Sequence, residues 1–208
     1  MRLYLQNNHV ETISGLDVGL EKLSVLNLSN NRIHNVSGLT NLPNLTELYV
    51  DKMVLPKGTS IEFDLDTIAS LSLSLEKLSC TGNNLENITI LGFLQELQTL
   101  DLSNNSITDM DLVEEVAMQC KNLNTLKITE NRLNDRYLRQ KLILANFALR
   151  SINGKDVSDT ERAFLVKLEG SKVARSKAPS KAATPMTPQQ DLGPVPMPHL
   201  PPYATQYR

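Results

Sequence analysis

The sequence predicts an α/β solenoid, in which a stack of short repeats forms parallel β-strands on a concave face and 3₁₀ or short helices on a convex face. Three observations support this fold class. A pattern Leu-x-Leu-x-x-Asn-x-Leu/Ile/Val recurs in six copies, one of them degraded; asparagine occupies its sixth position in the other five; and apolar residues three apart follow it. Self-similarity at a period of roughly 20–50 residues is typical of solenoids.

The six copies follow one another at short intervals. They begin at Leu3, Leu26, Leu48, Leu78, Leu100 and Leu126, so that successive copies lie 23, 22, 30, 22 and 26 residues apart. Because alternate side chains of a strand point to opposite faces, the two apolar residues of each copy are expected to point inward. The pattern is that of a leucine-rich-repeat solenoid, in which each repeat buries its apolar face only against its neighbours.

The asparagine of each copy is predicted to be structural. Its side-chain amide both donates and accepts, so it can satisfy the backbone groups where the chain turns after each strand. We expect these side chains to form a buried hydrogen-bonded ladder along the solenoid. Its predicted members are Asn8, Asn31, Asn83, Asn105 and Asn131.

The third copy is irregular. Met53 replaces the ladder asparagine, and the distance to the next copy rises from 22 to 30 residues. The excess falls in residues 55–64, where Pro56 and Gly58 interrupt the regular turn. An insert of this kind is expected to project from a solenoid as a loop, which is either a tolerated bulge or a binding loop.

The domain organisation is predicted from where the repeat stops. The repeats occupy residues 1–134, and a helical cap occupies residues 135–170, with a capping-box pattern formed by Ser158 and Glu161 at the start of its last helix. No comparable cover precedes the first copy, so we expect upstream repeats or a cap to be missing. Residues 171–208 are predicted to be a disordered, proline-rich, basic tail, with five Lys or Arg against one Asp.

The composition argues against several other classes of protein. The repeats lack the clustered Lys and Arg of a nucleic-acid binder, and no stretch is long and apolar enough for a membrane span. The three histidines, His9, His34 and His199, have no catalytic or metal-ligating spacing. Cys80 and Cys120 are expected to be core thiols. We therefore predict a cytoplasmic, monomeric protein that is not an enzyme and uses no cofactor or metal.

Two features resemble the Sds22-like leucine-rich-repeat proteins. They are the insert, with Leu55-Pro56-x-Gly58 and then Phe63-Asp64, and the cap, with Gly154-Lys155 and Glu161-Arg162. The resemblance implies a non-catalytic regulatory subunit that binds the catalytic subunit of protein phosphatase 1, with an association to the cytoskeleton at the centrosome, the microtubule organising centre or the cilium. The alternative is an axonemal or ciliary adaptor associated with dynein or tubulin.

The candidate binding residues are the strand residues that flank the inward leucines. A tyrosine offers a large contact area at little entropic cost, so Tyr49 is the expected anchor. Carboxylates on the same face are expected to meet a basic partner surface, and the alternative is a solvated polar face without a partner. The predicted set is Tyr4, Gln6, Asn27, Ser29, Glu47, Tyr49, Asp51, Thr81, Asp101, Ser103 and Lys127.

Overall fold

The computed structural model describes residues 1–16, 18–133 and 136–177. Eight strands form one sheet that contains a strand from every repeat, and two further strands pair separately on the convex side. The strands are β1 (Arg2–Tyr4), β2 (Val25–Asn27), β3 (Asn35–Val36), β4 (Glu47–Tyr49), β5 (Glu62–Phe63), β6 (Lys77–Ser79), β7 (Thr99–Asp101), β8 (Thr125–Lys127), β9 (Ser151–Ile152) and β10 (Lys155–Asp156).

The large sheet has the order β1-β2-β4-β6-β7-β8-β9-β10. It is parallel from β1 to β9, and β10 closes it as the antiparallel partner of β9. The inward leucines stay in register, so that Leu48 lies between Leu26 and Leu78, and all three are at most 1% exposed. Burial of each such side chain is worth about 1.5–3 kcal/mol. The predicted α/β leucine-rich-repeat solenoid is confirmed.

The convex side is helical only in part. Helix α1 (Leu65–Leu71), a 3₁₀ helix (Thr89–Phe93) and helix α2 (Met110–Gln119) follow the third, fourth and fifth strands of the large sheet. Among the described residues, no helix precedes α1, and the second repeat instead contributes β3, which pairs in parallel with β5. The expectation of 3₁₀ or short helices on the convex face is therefore wrong for the first two repeats.

The asparagine ladder is fully formed at Asn105. Its Nδ2 donates to the carbonyls of Cys80 at 3.0 Å and Leu102 at 2.9 Å. Its Oδ1 accepts from the N–H groups of Asn83 and Leu85, at 3.0 Å each. One buried amide thus satisfies backbone groups of two successive repeats, which is the role predicted for it.

The ladder changes toward its ends. Asn31 and Asn83 are buried like the central member, but Asn131 is only half-buried and Asn8 is exposed. The prediction of a buried ladder is therefore wrong for Asn8, whose amide donates to two carbonyls of its own repeat and has no described repeat before it. At the other end, Asn153 follows β9 at a strand position and not at a ladder position, and its Oδ1 accepts from the Ile128 N–H at the end of the neighbouring strand at 2.7 Å.

The insert is more regular than a projecting loop. It begins with a turn in which the Thr59 N–H donates to the Pro56 carbonyl at 3.1 Å, with Gly58 at a φ of +85°. It then forms β5. Asp64 follows as the N-cap of α1, since its carboxylate accepts from the Thr67 N–H at 2.9 Å. The insert therefore supplies both a convex strand and a helix cap.

The C-terminal end of the sheet is covered by helix α3 (Leu138–Ala145), the β9–β10 hairpin and helix α4 (Asp159–Lys177). The predicted capping box is present, because the Glu161 N–H donates to Ser158 Oγ at 3.1 Å. α4 continues to Lys177, so the predicted end of the cap at residue 170 is too early. The predicted tail beyond this helix lies outside the described residues. None of the described helices combines the length and the apolar character that a membrane crossing requires.

Candidate protein-binding surface

The concave surface consists of the strand side chains that alternate with the inward apolar residues. It also includes the residue that follows the second inward residue of each repeat. The predicted residues all lie on it, but their accessibility differs. Tyr4, Gln6 and Lys127 are exposed, whereas Ser29 is buried at 8% exposure and offers little to a partner. The other seven are half-buried: Asn27, Glu47, Tyr49, Asp51, Thr81, Asp101 and Ser103.

Asp51 connects three neighbouring strands of this surface. Its Oδ1 accepts from Ser79 Oγ at 2.6 Å and from the Thr81 N–H at 2.8 Å. Its Oδ2 accepts from Ser29 Oγ at 3.4 Å, and its own N–H donates to that hydroxyl at 3.2 Å. Hydrogen bonds to a charged acceptor are stronger than neutral ones. Asp51 therefore holds neighbouring repeats together, and its carboxylate is already engaged before any partner arrives.

Tyr49 forms a cluster with Glu47 and Lys77. Its hydroxyl donates to Glu47 Oε2 at 2.5 Å, and Lys77 Nζ lies 5.1 Å from the centre of its ring. Lys77 Nζ also lies 3.9 Å from the same Glu47 oxygen. Burial and the bond to Glu47 raise the pKa of Tyr49, while the contact with Tyr49 raises the pKa of Lys77. At neutral pH the phenol is neutral and the ammonium is charged, so the cluster is satisfied internally.

Tyr4 is the more accessible of the two aromatic residues on this surface. Its side chain is 55% exposed, whereas Tyr49 is half-buried and its hydroxyl is bonded to Glu47. Tyr4 lies in β1, beside Asn27 of the next strand. The structure therefore favours Tyr4 over the predicted Tyr49 as the aromatic anchor for a partner.

Asp101 and Lys127 form an ion pair across neighbouring strands, with 3.3 Å between Oδ2 and Nζ. The Asp101 Oδ1 accepts from the Ser103 N–H at 3.1 Å and from Thr81 Oγ1 at 3.2 Å. Burial alone would raise the pKa of Asp101, but the hydrogen bonds from Ser103 and Lys127 outweigh it and hold the pKa below its ordinary value. Asp101 is thus a charged group that links the fourth, fifth and sixth repeats.

Replacing Lys127 with methionine is expected to raise the pKa of Asp101, because it removes a hydrogen bond and a charge that favour the carboxylate. A group with a lowered folded pKa adds stability above its unfolded pKa, and that stability is lost as the pH falls through the folded pKa. The wild-type protein should therefore lose more stability than the variant on acidification below about pH 4. Carbon NMR of the Asp101 carboxyl measures the pKa directly. An identical pKa in both proteins would show that the ion pair does not form in solution.

Lys77 was not among the predicted residues, although its position in the repeat indicates that it lies on the concave surface. It directly precedes the inward Leu78, as Glu47 precedes Leu48, and the two charged residues lie beside each other in β4 and β6. Opposite charges on neighbouring strands stabilise a sheet by roughly 0.2–1 kcal/mol per pair. Glu47–Lys77 is therefore a second ion pair across strands of the concave surface, beside Asp101–Lys127.

The described residues offer no cluster of three or more His, Cys, Asp and Glu that could hold a metal ion. Cys80 and Cys120 are both buried. Burial raises the pKa of Cys120 to about 11 and that of Cys80 well above its ordinary value. Both are therefore neutral thiols at physiological pH, and neutral thiols are poor nucleophiles and poor metal ligands.

A repeat solenoid with a polar, cross-bonded concave sheet is the architecture of a protein-interaction scaffold. The family model described as "Leucine Rich repeats (2 copies)" matches residues 2–41, 21–53, 73–114 and 95–136, which together make up more than half of the chain. The chain therefore belongs to the leucine-rich repeat family, whose members are typically non-catalytic. Residues 54–72, which contain the whole insert, lie between the matched segments.

Two curated proteins are similar to parts of the chain. The acidic leucine-rich nuclear phosphoprotein 32-related protein 2 of Caenorhabditis elegans is 31% identical over 106 residues, which are 50% of this chain and 45% of that protein. Toll-like receptor 2 type-2 of Gallus gallus is 29% identical over 121 residues, 56% of this chain and 15% of the receptor. The chain thus spans less than half the length of either relative.

Two solved structures show the same fold. An internalin of Listeria monocytogenes aligns with a TM-score of 0.57 and 24% identity, over 79% of this chain and 44% of that one. The SNF/U2A′ complex of Drosophila melanogaster contains a chain that aligns with a TM-score of 0.50 and 15% identity, over 84% of this chain and 87% of that one. At these identities the likeness concerns the fold alone.

Proposed function

We propose that this chain is a non-catalytic subunit that binds the catalytic subunit of protein phosphatase 1 through its concave surface. The proposal rests on the resemblance of the insert and cap to Sds22-like regulatory subunits, and most closely to protein phosphatase 1 regulatory subunit 42. The observation that supports it best is the exposed Tyr4 beside a polar surface that hydrogen bonds already hold in place. Accessible tyrosines on rigid elements are frequent anchors of protein interfaces.

We further propose that the protein acts in the cytoplasm at the cytoskeleton, at the centrosome or the cilium, where such a subunit would bring the phosphatase to its substrates. The role of an axonemal adaptor for dynein or tubulin is the competing proposal. Both roles require a non-catalytic scaffold, and they differ in the partner that the concave surface binds.

Replacing Tyr4 with alanine is expected to weaken binding of the phosphatase catalytic subunit at least about tenfold, which corresponds to about 1.4 kcal/mol. The side chain is 55% exposed, so its loss removes contact area without opening the core. Isothermal titration calorimetry with the purified full chain measures the affinity. Circular dichroism of the variant checks that the fold is retained.

Phe93→Ala is the matched control, since Phe93 is an equally exposed aromatic residue, at 57%, on the convex side. It should leave the affinity for the phosphatase unchanged. A Tyr49→Ala, Asp101→Ala double variant tests the rest of the surface, and it should also weaken binding. If the folded wild-type chain does not bind the phosphatase but sediments with microtubules, the phosphatase proposal fails and the adaptor role is favoured.

A further inference from the structure

A groove of about 1000 Å³ lies on the convex side, between the insert and the repeat that follows it. We call it the insert groove. Insert residues 57–63 form one wall, residues 84–90 lie opposite with Phe93 close by, and Ser106 and Arg132 continue the groove into the next two repeats. It is separate from the concave surface, so the proposed function makes no use of it.

The groove lies where the insert alters the contacts between repeats. Between the fourth and fifth repeats, the N–H of Ser106 donates to the Leu85 carbonyl at 2.9 Å, just after the ladder asparagine. Between the third and fourth repeats, the side chain of Asn84 instead reaches to the carbonyl of Thr59 in the insert, at 3.2 Å. A side-chain hydrogen bond thus spans a gap that a backbone hydrogen bond closes elsewhere, and this gap is the groove.

Strand β5 presents its unpaired edge to this groove. The N–H groups of Glu62 and Asp64 donate toward β3, to the carbonyls of His34 at 2.8 Å and Val36 at 3.1 Å. Because successive residues of a strand direct their backbone groups to opposite edges, the N–H and C=O of Phe63 point away from β3 and toward the fourth repeat. An unpaired edge of this kind is a template for one more strand.

The side chains of the groove combine apolar and charged groups. Phe63 and Ile90 are half-buried, and Phe93 is 57% exposed. Four charged residues also line it, and none of them forms an ion pair with any residue that the structure describes. They are the cations Lys57 and Arg132 and the carboxylates Glu62 and Glu86. The groove thus has uncompensated charges of both signs, whereas the concave surface contains the ion pairs Glu47–Lys77 and Asp101–Lys127.

We propose that the insert groove binds an extended peptide segment of a partner protein, which adds to the free edge of β5, opposite β3, and makes this sheet three-stranded. The peptide carries apolar side chains at alternate positions, which contact Phe63, Ile90 and Phe93. Charge complementarity requires an acidic residue opposite Lys57 and Arg132 and a basic residue opposite the two glutamates. Backbone hydrogen bonds supply affinity in such strand addition, and the alternate side chains supply sequence preference.

The test uses a displayed library of random peptides of about 12 residues, long enough to cross the groove as a strand. The library is selected on the purified full chain, and the enriched peptides are synthesised and titrated. Their sequences should combine alternate apolar residues with one acidic and one basic residue. Phe93→Asp should weaken their binding at least tenfold, a change of about 1.4 kcal/mol, while Tyr4→Ala should leave it unchanged. Arg132→Glu should weaken binding of the same peptides, and Arg2→Glu on the concave side is its matched control.

Amide hydrogen exchange tests the mode of binding. Exchange of the Phe63 N–H should slow when a selected peptide is added, because the amide gains a partner. Failure to enrich any peptide, or enrichment of peptides that are insensitive to Phe93→Asp, overturns the site. Unchanged exchange at Phe63 with a bound peptide overturns strand addition. None of these results depends on phosphatase binding, so the two proposals fail independently.

Discussion

Replacing Asn105 with alanine is expected to lower the free energy of unfolding by about 3–5 kcal/mol, because it leaves several buried backbone groups without partners at once. The amide accepts from two N–H groups and donates to two carbonyls, and the residue is 7% exposed. Alanine fills none of these roles, because its side chain has no polar group. Urea unfolding followed by circular dichroism measures the loss.

Asn8→Ala is the matched control for this prediction. The same residue type occupies the same position of the repeat, but it is exposed and bonds only to carbonyls of its own repeat. Its replacement should change the stability by less than about 0.5 kcal/mol. Similar losses in the two variants would mean that burial of the ladder contributes little, and a loss below about 1 kcal/mol for Asn105→Ala would contradict the argument.

Replacing Arg162 with methionine is expected to lower the free energy of unfolding by about 2–4 kcal/mol and to loosen the C-terminal cap first. The guanidinium donates to the carbonyls of Ile143, Asn146 and Leu149, which follow one another through the end of α3. It also lies 5.5 Å from the centre of the Phe147 ring. Methionine keeps the unbranched stem of the side chain but leaves those carbonyls without a donor. Hydrogen exchange of β9 and α3, compared with that of β4, measures the local effect.

The control for the cap is Arg150→Met. Arg150 is exposed, and its ion pair with Asp159, at 3.4 Å, joins two exposed side chains. Such surface pairs contribute about 0–1 kcal/mol, so the variant should unfold close to the wild type. If Arg162→Met accelerates exchange equally in β4 and β9, the arginine acts on the whole solenoid and not on its cap.

The arrangement of the large sheet was predictable from the spacing of the leucines. The register that places Leu48 between Leu26 and Leu78 keeps all three on the buried face, whereas a shift by one residue would turn a whole strand over. The identity of the ladder residues followed from the same repeat. Their degree of burial did not, since it depends on neighbours on both sides, which Asn8 lacks among the described residues.

Other features depend on contacts that the spacing of the sequence repeats does not indicate. β3 and β5 are two residues long and lie far apart in the sequence, so their pairing follows from the path of the insert. The accessibility of Tyr49 likewise depends on Lys77, which comes from the next strand of the sheet. The role of Arg162 depends on the three-dimensional position of the end of α3. These contacts are decided by tertiary packing, which the residue pattern of a single repeat does not contain.

The hydrogen bonds around Asp51 and Asp101 also affect the entropy of any association on the concave surface. The hydroxyls of Ser79 and Thr81 and the ammonium of Lys127 already contact these carboxylates before a partner arrives. Ordering a side chain at an interface costs about 0.5–1.5 kcal/mol when it is mobile beforehand. Much of that cost has been met during folding here, so a partner can dock on a surface whose shape is already set.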